Sequence, residues 1–81
     1  MEQDTTRKVS ELISFMLNLP ATKVHPFTSL KDDLLLDAID IMLLIAALES
    51  KFDVYLSPEE AESVQTVEDI SFLLQKNAVA A

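Results

Sequence analysis

His25 is the only histidine in this sequence, and it stands beside Pro26 with no nucleophile or second metal ligand at helical spacing. A lone loop histidine of this kind is usually structural or solvated. The carboxylates gather in two groups, Asp32, Asp33, Asp37 and Asp40, then Glu59, Glu60 and Glu62. Either group could attract a divalent cation loosely, but the glycine and terminal glutamate of a calcium loop are missing. Cysteine is absent, which excludes disulfides, thiolate nucleophiles and thiolate metal sites. Glycine is absent too, which excludes the P-loop and the dinucleotide fingerprint. No nucleophile, base and oxyanion donor can be assembled, so the expectation is a protein without catalytic activity of its own.

Chemistry that works through surfaces is better supported. Fourteen acidic residues against six basic ones give a formal net charge of -8 in 81 residues. Such a chain repels nucleic-acid phosphates and anionic lipid headgroups and favours partners with basic surfaces. The N-terminus "MEQDTTRKVSEL" lacks the basic start and apolar run of a signal peptide, and no stretch approaches the roughly 18 apolar residues of a membrane span. A monomeric, cytoplasmic protein is expected, its residues 1–81 forming one small domain with frayed ends at 1–4 and 77–81.

The elements that must position these groups are helical. From about Thr6 to Leu19, Val9, Leu12, Ile13, Met16, Leu17 and Leu19 recur at helical spacing until Pro20 stops the pattern. The stretch "ATKVHPFTSLKDDLLL" then reads as a long ordered loop with its own short turns, pinned by Val24, Phe27, Leu30 and Leu34. Asp37 with Asp40 marks a helix N-cap and an acidic third position, opening a second helix that runs to about Phe52. Ser57, Pro58 and Glu60 open a short acidic helix, "SPEEAESV", through a capping box with proline at the first turn. Thr66 with Asp69 caps a last helix, "TVEDISFLLQKN", whose core stripe is Val67, Ile70, Leu73 and Leu74. Val54 and Tyr55 make a connector at best. The fold class is therefore all-α: a small four-helix bundle, three main helices plus a short acidic third, with a long ordered loop between helices one and two.

The second helix is apolar on two sides. Ile41, Leu44, Ile45, Leu48 and Phe52 form one stripe; Ile39, Met42, Leu43 and Ala46 lie nearly opposite. One stripe must be core. The other is either covered by flanking helices or left as a face for a partner.

The order of these elements, with the segment "LDAID" at the start of helix two, resembles an acyl carrier protein. The likeness runs without a gap from Val9 to Leu74 and includes "ALESKFDV" and "LSPEEAE", which are similar to the family's "ALEEEFD" and "PDEEAE" segments. The family hallmark is a D-S-L-like tripeptide whose serine hydroxyl receives the 4'-phosphopantetheine arm. The matching residues here are Asp37, Ala38 and Ile39, so alanine stands in the serine's place. Ser29, Ser50, Ser57 and Ser63 lie elsewhere in the pattern and do not compensate. The helix N-terminus would stabilise a phosphodiester at this spot, but Ala38 lacks the hydroxyl to which an arm is joined.

The resemblance implies further roles. Basic patches of a phosphopantetheinyl transferase, a ketosynthase and other acyl-processing enzymes would dock through Asp37, Asp40, Glu49, Glu59, Glu60 and Glu62, with Met42 in an apolar groove. An acyl chain would slide between helices two and three near Leu48, Leu56, Ala61 and Val64. Leu43 stands where fatty-acid carriers usually show an acidic contact residue, which points toward a specialised type II polyketide or polyene pathway more than a general type II fatty acid pathway. Two accounts of Ala38 stay open. Either a working carrier had its attachment serine replaced by experiment, or the natural protein has alanine and serves as a binding or regulatory module without a prosthetic group.

Overall fold

The computed structural model describes residues 2–78, with side chains from residue 4 onward. Four helices follow in order: α1 (Glu2–Leu17), α2 (Ala38–Phe52), α3 (Pro58–Ser63) and α4 (Val67–Asn77), with one 3-10 turn at Ala21–Lys23 inside the long loop. No strand forms among the described residues, so the bundle is all-α, and Val54 and Tyr55 are indeed connector.

Each helix start is set by its own side chains. Asp37, Ser57 and Thr66 each accept a hydrogen bond from the backbone N–H three residues on, and the acid there, Asp40, Glu60 or Asp69, accepts one back from the cap's N–H. Two of the four unpaired N–H groups that open any helix are thereby satisfied. The stops are equally local. Asn18 enters the left-handed region at φ 57°, Leu19 N–H donates to the Ser14 carbonyl at 2.9 Å, and Asn18 N–H donates to Phe15 at 3.3 Å. This is a Schellman turn, and it ends α1 at Leu17, two residues before the apolar periodicity runs out. At the other end α1 starts at Glu2, earlier than the expected Thr6, so residues 2–4 are helical, as is Asn77. The fraying expected at position 1 and at 79–81 lies outside the described residues.

One core joins all of this. Val9 and Ile13 of α1, the stripe Ile41, Leu44, Ile45 and Leu48 of α2, and Val67, Ile70, Leu73 and Leu74 of α4 are buried together with Leu56 and Val64. α1 packs most extensively on α4. Three small polar side chains are buried: Ser14 and Ser71 each turn the hydroxyl onto a carbonyl of their own helix, and Thr28 Oγ1 accepts the His25 N–H, so none leaves an unpaired group.

The long loop is ordered because it is stitched to the far end of the chain. Leu30 N–H donates to Gln65, Val67 N–H to Thr28 and Glu68 N–H to Pro26, around a lone antiparallel bridge between Ser29 and Thr66. Its apolar anchors are Val24, Leu30 and Leu36, with Leu34 half-buried. Phe27, expected among them, is 74% exposed instead: it sits in the tight turn that Thr28 closes onto His25, and the ring points outward.

Candidate functional site

The start of α2 concentrates what this surface can do. Asp37 is extended at φ -91°, ψ -178°; its Oδ1 accepts from Asp40 N–H at 2.8 Å. The two carboxylates are exposed and lie at the positive end of the helix dipole, which stabilises their charge. Ala38 is the first helical residue, exposed, and its side chain is a methyl group with no oxygen to carry a phosphodiester. Beside it, Ile39 is 67% exposed, and Met42, Leu43 and Ala46 continue the same uncovered face. The flanking helices therefore do not bury the second apolar stripe of α2. Burial stops at the opposite stripe.

Below Ala38 opens a cleft of about 560 Å³. Ala38, Ile41, Met42 and Ile45 of α2 form one wall, and Ala61 and Glu62 of α3 with Val64 and Gln65 form the other. Ser29, Lys31 and Asp32 of the long loop close its end. Of the four residues expected around an acyl chain, Ala61 and Val64 line the cleft, while Leu48 and Leu56 are buried in the core and do not line it. Spacing could not tell a wall residue from one behind the wall. Ile41 and Ile45 could have been found from the sequence, since they share the core stripe and lie one and two turns below Ala38.

The expected docking acids divide by what holds them. Asp37, Asp40, Glu59 and Glu62 are exposed. Glu49 is half-buried, and its Oε2 accepts the Leu56 N–H at 2.7 Å, which ties the α2–α3 connector to α2. Glu60 is engaged from three sides: Ser57 N–H at 3.0 Å, Asn77 Nδ2 at 3.2 Å, and Lys76 Nζ at 3.9 Å. The Ser57 backbone bond, then the Asn77 amide, hold its carboxyl below the ordinary glutamate value. Glu49 and Glu60 thus act as internal braces. Leu35, which spacing did not single out, is a further exposed apolar side chain: it is 80% exposed, at φ 57°, two residues before Asp37. A run of three leucines gives no sign of which one turns outward.

His25 lies on the loop, exposed, with its backbone N–H donated to Thr28 Oγ1. No group of three or more metal-ligating side chains occurs among the described residues, and no described helix is long and apolar enough to cross a membrane.

The family model described as "Phosphopantetheine attachment site" matches residues 7–74. The chain is 39% identical over 72 residues to the acyl carrier protein of Buchnera aphidicola subsp. Schizaphis graminum, covering 88% of this chain and 91% of that one. It is 43% identical over 63 residues to the acyl carrier protein of Clostridium acetobutylicum, covering 78% and 82%. Among solved structures, the acyl carrier protein from Enterococcus faecalis matches with a TM-score of 0.77 at 30% identity, over 95% of this chain and 98% of that one. The chain belongs to the acyl carrier protein family. Proteins of this family are carriers rather than enzymes, and they work with acyl-processing enzymes.

Proposed function

We propose that this chain is the scaffold of a type II carrier, from a fatty acid or polyketide/polyene pathway, whose arm position is occupied by Ala38. The single observation that carries the reading is the place of Ala38: first residue of α2, exposed, at the mouth of the apolar cleft. A methyl group there does not fit covalent attachment of a phosphopantetheine arm, so in this form the chain presents a docking surface without a load. Asp37, Asp40, Glu59 and Glu62 offer charge to basic partner enzymes such as a phosphopantetheinyl transferase or ketosynthase, and Met42 and Leu43 offer apolar contact between those acids. Ala61 and Val64 bound the space in which a tethered acyl chain would lie, and Leu48 and Leu56 belong to the closed core.

The test is chemical. Ala38→Ser and the parent are incubated with coenzyme A and a broad-specificity phosphopantetheinyl transferase, intact mass is read, and the modified peptide is mapped. Gain of one phosphopantetheine group at position 38 in the serine form alone is the expected outcome. No gain in either form would mean that the recognition surface has diverged, and the chain would be an interaction or regulatory module that never carried an arm.

A further inference from the structure

A second cleft, on the opposite pair of helices, shares no residue with the one below Ala38. It spans about 880 Å³ between α1 and α4, with Arg7 and Glu11 on one wall, Glu68, Asp69 and Phe72 on the other, and Pro26 of the long loop at its end. Neither α2 nor α3 contributes to it.

Its charges are unequally committed. Arg7 is already paired with Asp4 at 3.2 Å, and Asp69 accepts the N–H groups of Gln65 and Thr66 as part of the α4 cap. Glu11 and Glu68 are exposed, one on each wall, and neither carboxylate has an ion-pair or hydrogen-bond partner among the described residues. Phe72 is 64% exposed beside them, a ring that the core does not use. With three acids to one already paired base in its walls, the cleft selects a cation, and an exposed ring flanked by carboxylates selects a planar one that can stack as well as pair.

We infer that the α1–α4 cleft is a second docking surface, and that its occupant is a segment of a partner protein presenting arginine flanked by apolar residues. The guanidinium lies over Phe72 between Glu11 and Glu68, and the apolar flanks fill the cleft toward Pro26. An acidic segment is disfavoured because the cleft walls carry three carboxylates against one cation, Arg7, which already shares Asp4. Because the two clefts share no residue, such a partner leaves the Ala38 face free for a second protein.

The experiment uses the full chain, uniformly 15N-labelled, titrated with a synthetic peptide of alternating arginine and leucine and with its lysine and aspartate counterparts. Affinity is read locally from the amides of Glu11, Glu68 and Phe72, which separates this cleft from the acidic α2–α3 face. The arginine peptide is expected to shift these amides at lower concentration than the lysine peptide, with the aspartate peptide inert. Phe72→Ala, and Glu11→Gln with Glu68→Gln, are each expected to weaken the local affinity roughly fivefold, as loss of an exposed cation–π contact or of two surface ion pairs implies. These side chains are exposed, and an unchanged spectrum elsewhere will show that the variants remain folded. Shifts confined to the α2–α3 face, local affinity unchanged in the variants, equal response to the aspartate peptide, or self-association of the chain through these residues would each overturn the inference.

Discussion

Leu35 holds φ at 57° although it is neither glycine nor asparagine, and its side chain is almost wholly in solvent. A left-handed conformation costs an ordinary L-residue about 1–2 kcal/mol, and Leu35 offsets little of that by burial. Leu35→Asn keeps the loop geometry with a residue that tolerates this region, so it is expected to raise the urea midpoint by the equivalent of about 1 kcal/mol. A lowered midpoint would mean that the leucine side chain stabilises the fold in a way its exposure conceals. The chain has no glycine, and of the three left-handed positions among the described residues, Asn18 and Asp53 carry types that tolerate the region, whereas nothing in its residue type marks Leu35. The capping boxes were legible for the opposite reason: each depends on two side chains three residues apart. Glu60 belongs to one of them and carries a prediction of its own. Its folded pKa is lowered, so its contribution is present when the unfolded chain would also be ionised, and it is lost as pH falls through the folded value. Glu60→Gln should therefore be less stable than the parent at neutral pH, and the gap should close in acid. A gap that stays constant from neutral to acid pH would mean the carboxylate charge contributes nothing to the brace.

At the scale of the element, α2 shows how far periodicity reaches. The angular division of its apolar residues separates Leu48, fully buried, from Leu43, 61% exposed, and the structure keeps that division. What spacing left open was whether anything covers the second stripe, because coverage depends on how the long loop and α3 settle. Leu48→Ala removes a side chain from a closed core and is expected to cost about 2–5 kcal/mol in a denaturant titration. Leu43→Glu exchanges one solvated side chain for another, so stability should stay within about 0.5 kcal/mol. The same change should tighten docking to a basic partner enzyme, read by surface plasmon resonance, if the uncovered stripe is the docking face. A large loss of stability in Leu43→Glu would show instead that the stripe is covered in solution. α1 shows where periodicity fails: "EQDTT" carries no apolar rhythm, so its first turn was not legible, and its end was overrun because the chain turns at Asn18 while an apolar residue, Leu19, still follows at helical spacing.

At the scale of the whole molecule, charge was the most legible property and the clefts the least. Composition gives -8 directly, whereas each cleft forms only when segments distant in sequence meet: Lys31 beside Ala38 and Ala61, or Pro26 beside Glu11 and Phe72. The charge also acts on the fold itself. The molecule measures 34 × 25 × 19 Å, and only two ion pairs are formed among its described side chains, so most carboxylates feel one another across it. At about 0.01 M ionic strength the screening length of about 30 Å spans nearly the whole molecule, and at about 0.15 M it shrinks to about 8 Å. Self-repulsion then falls in the folded state, where the charges are held close, more than in the expanded unfolded chain. Raising sodium chloride over this range should lift Tm by a few degrees, followed by circular dichroism. Salt should act in the opposite sense on the docking of a basic partner, where it screens attraction, and should slow association. A Tm that is flat or falls with salt would mean that the exposed acids of α2 and α3 are already compensated within the chain, and the same acids would then have little charge left to offer a partner.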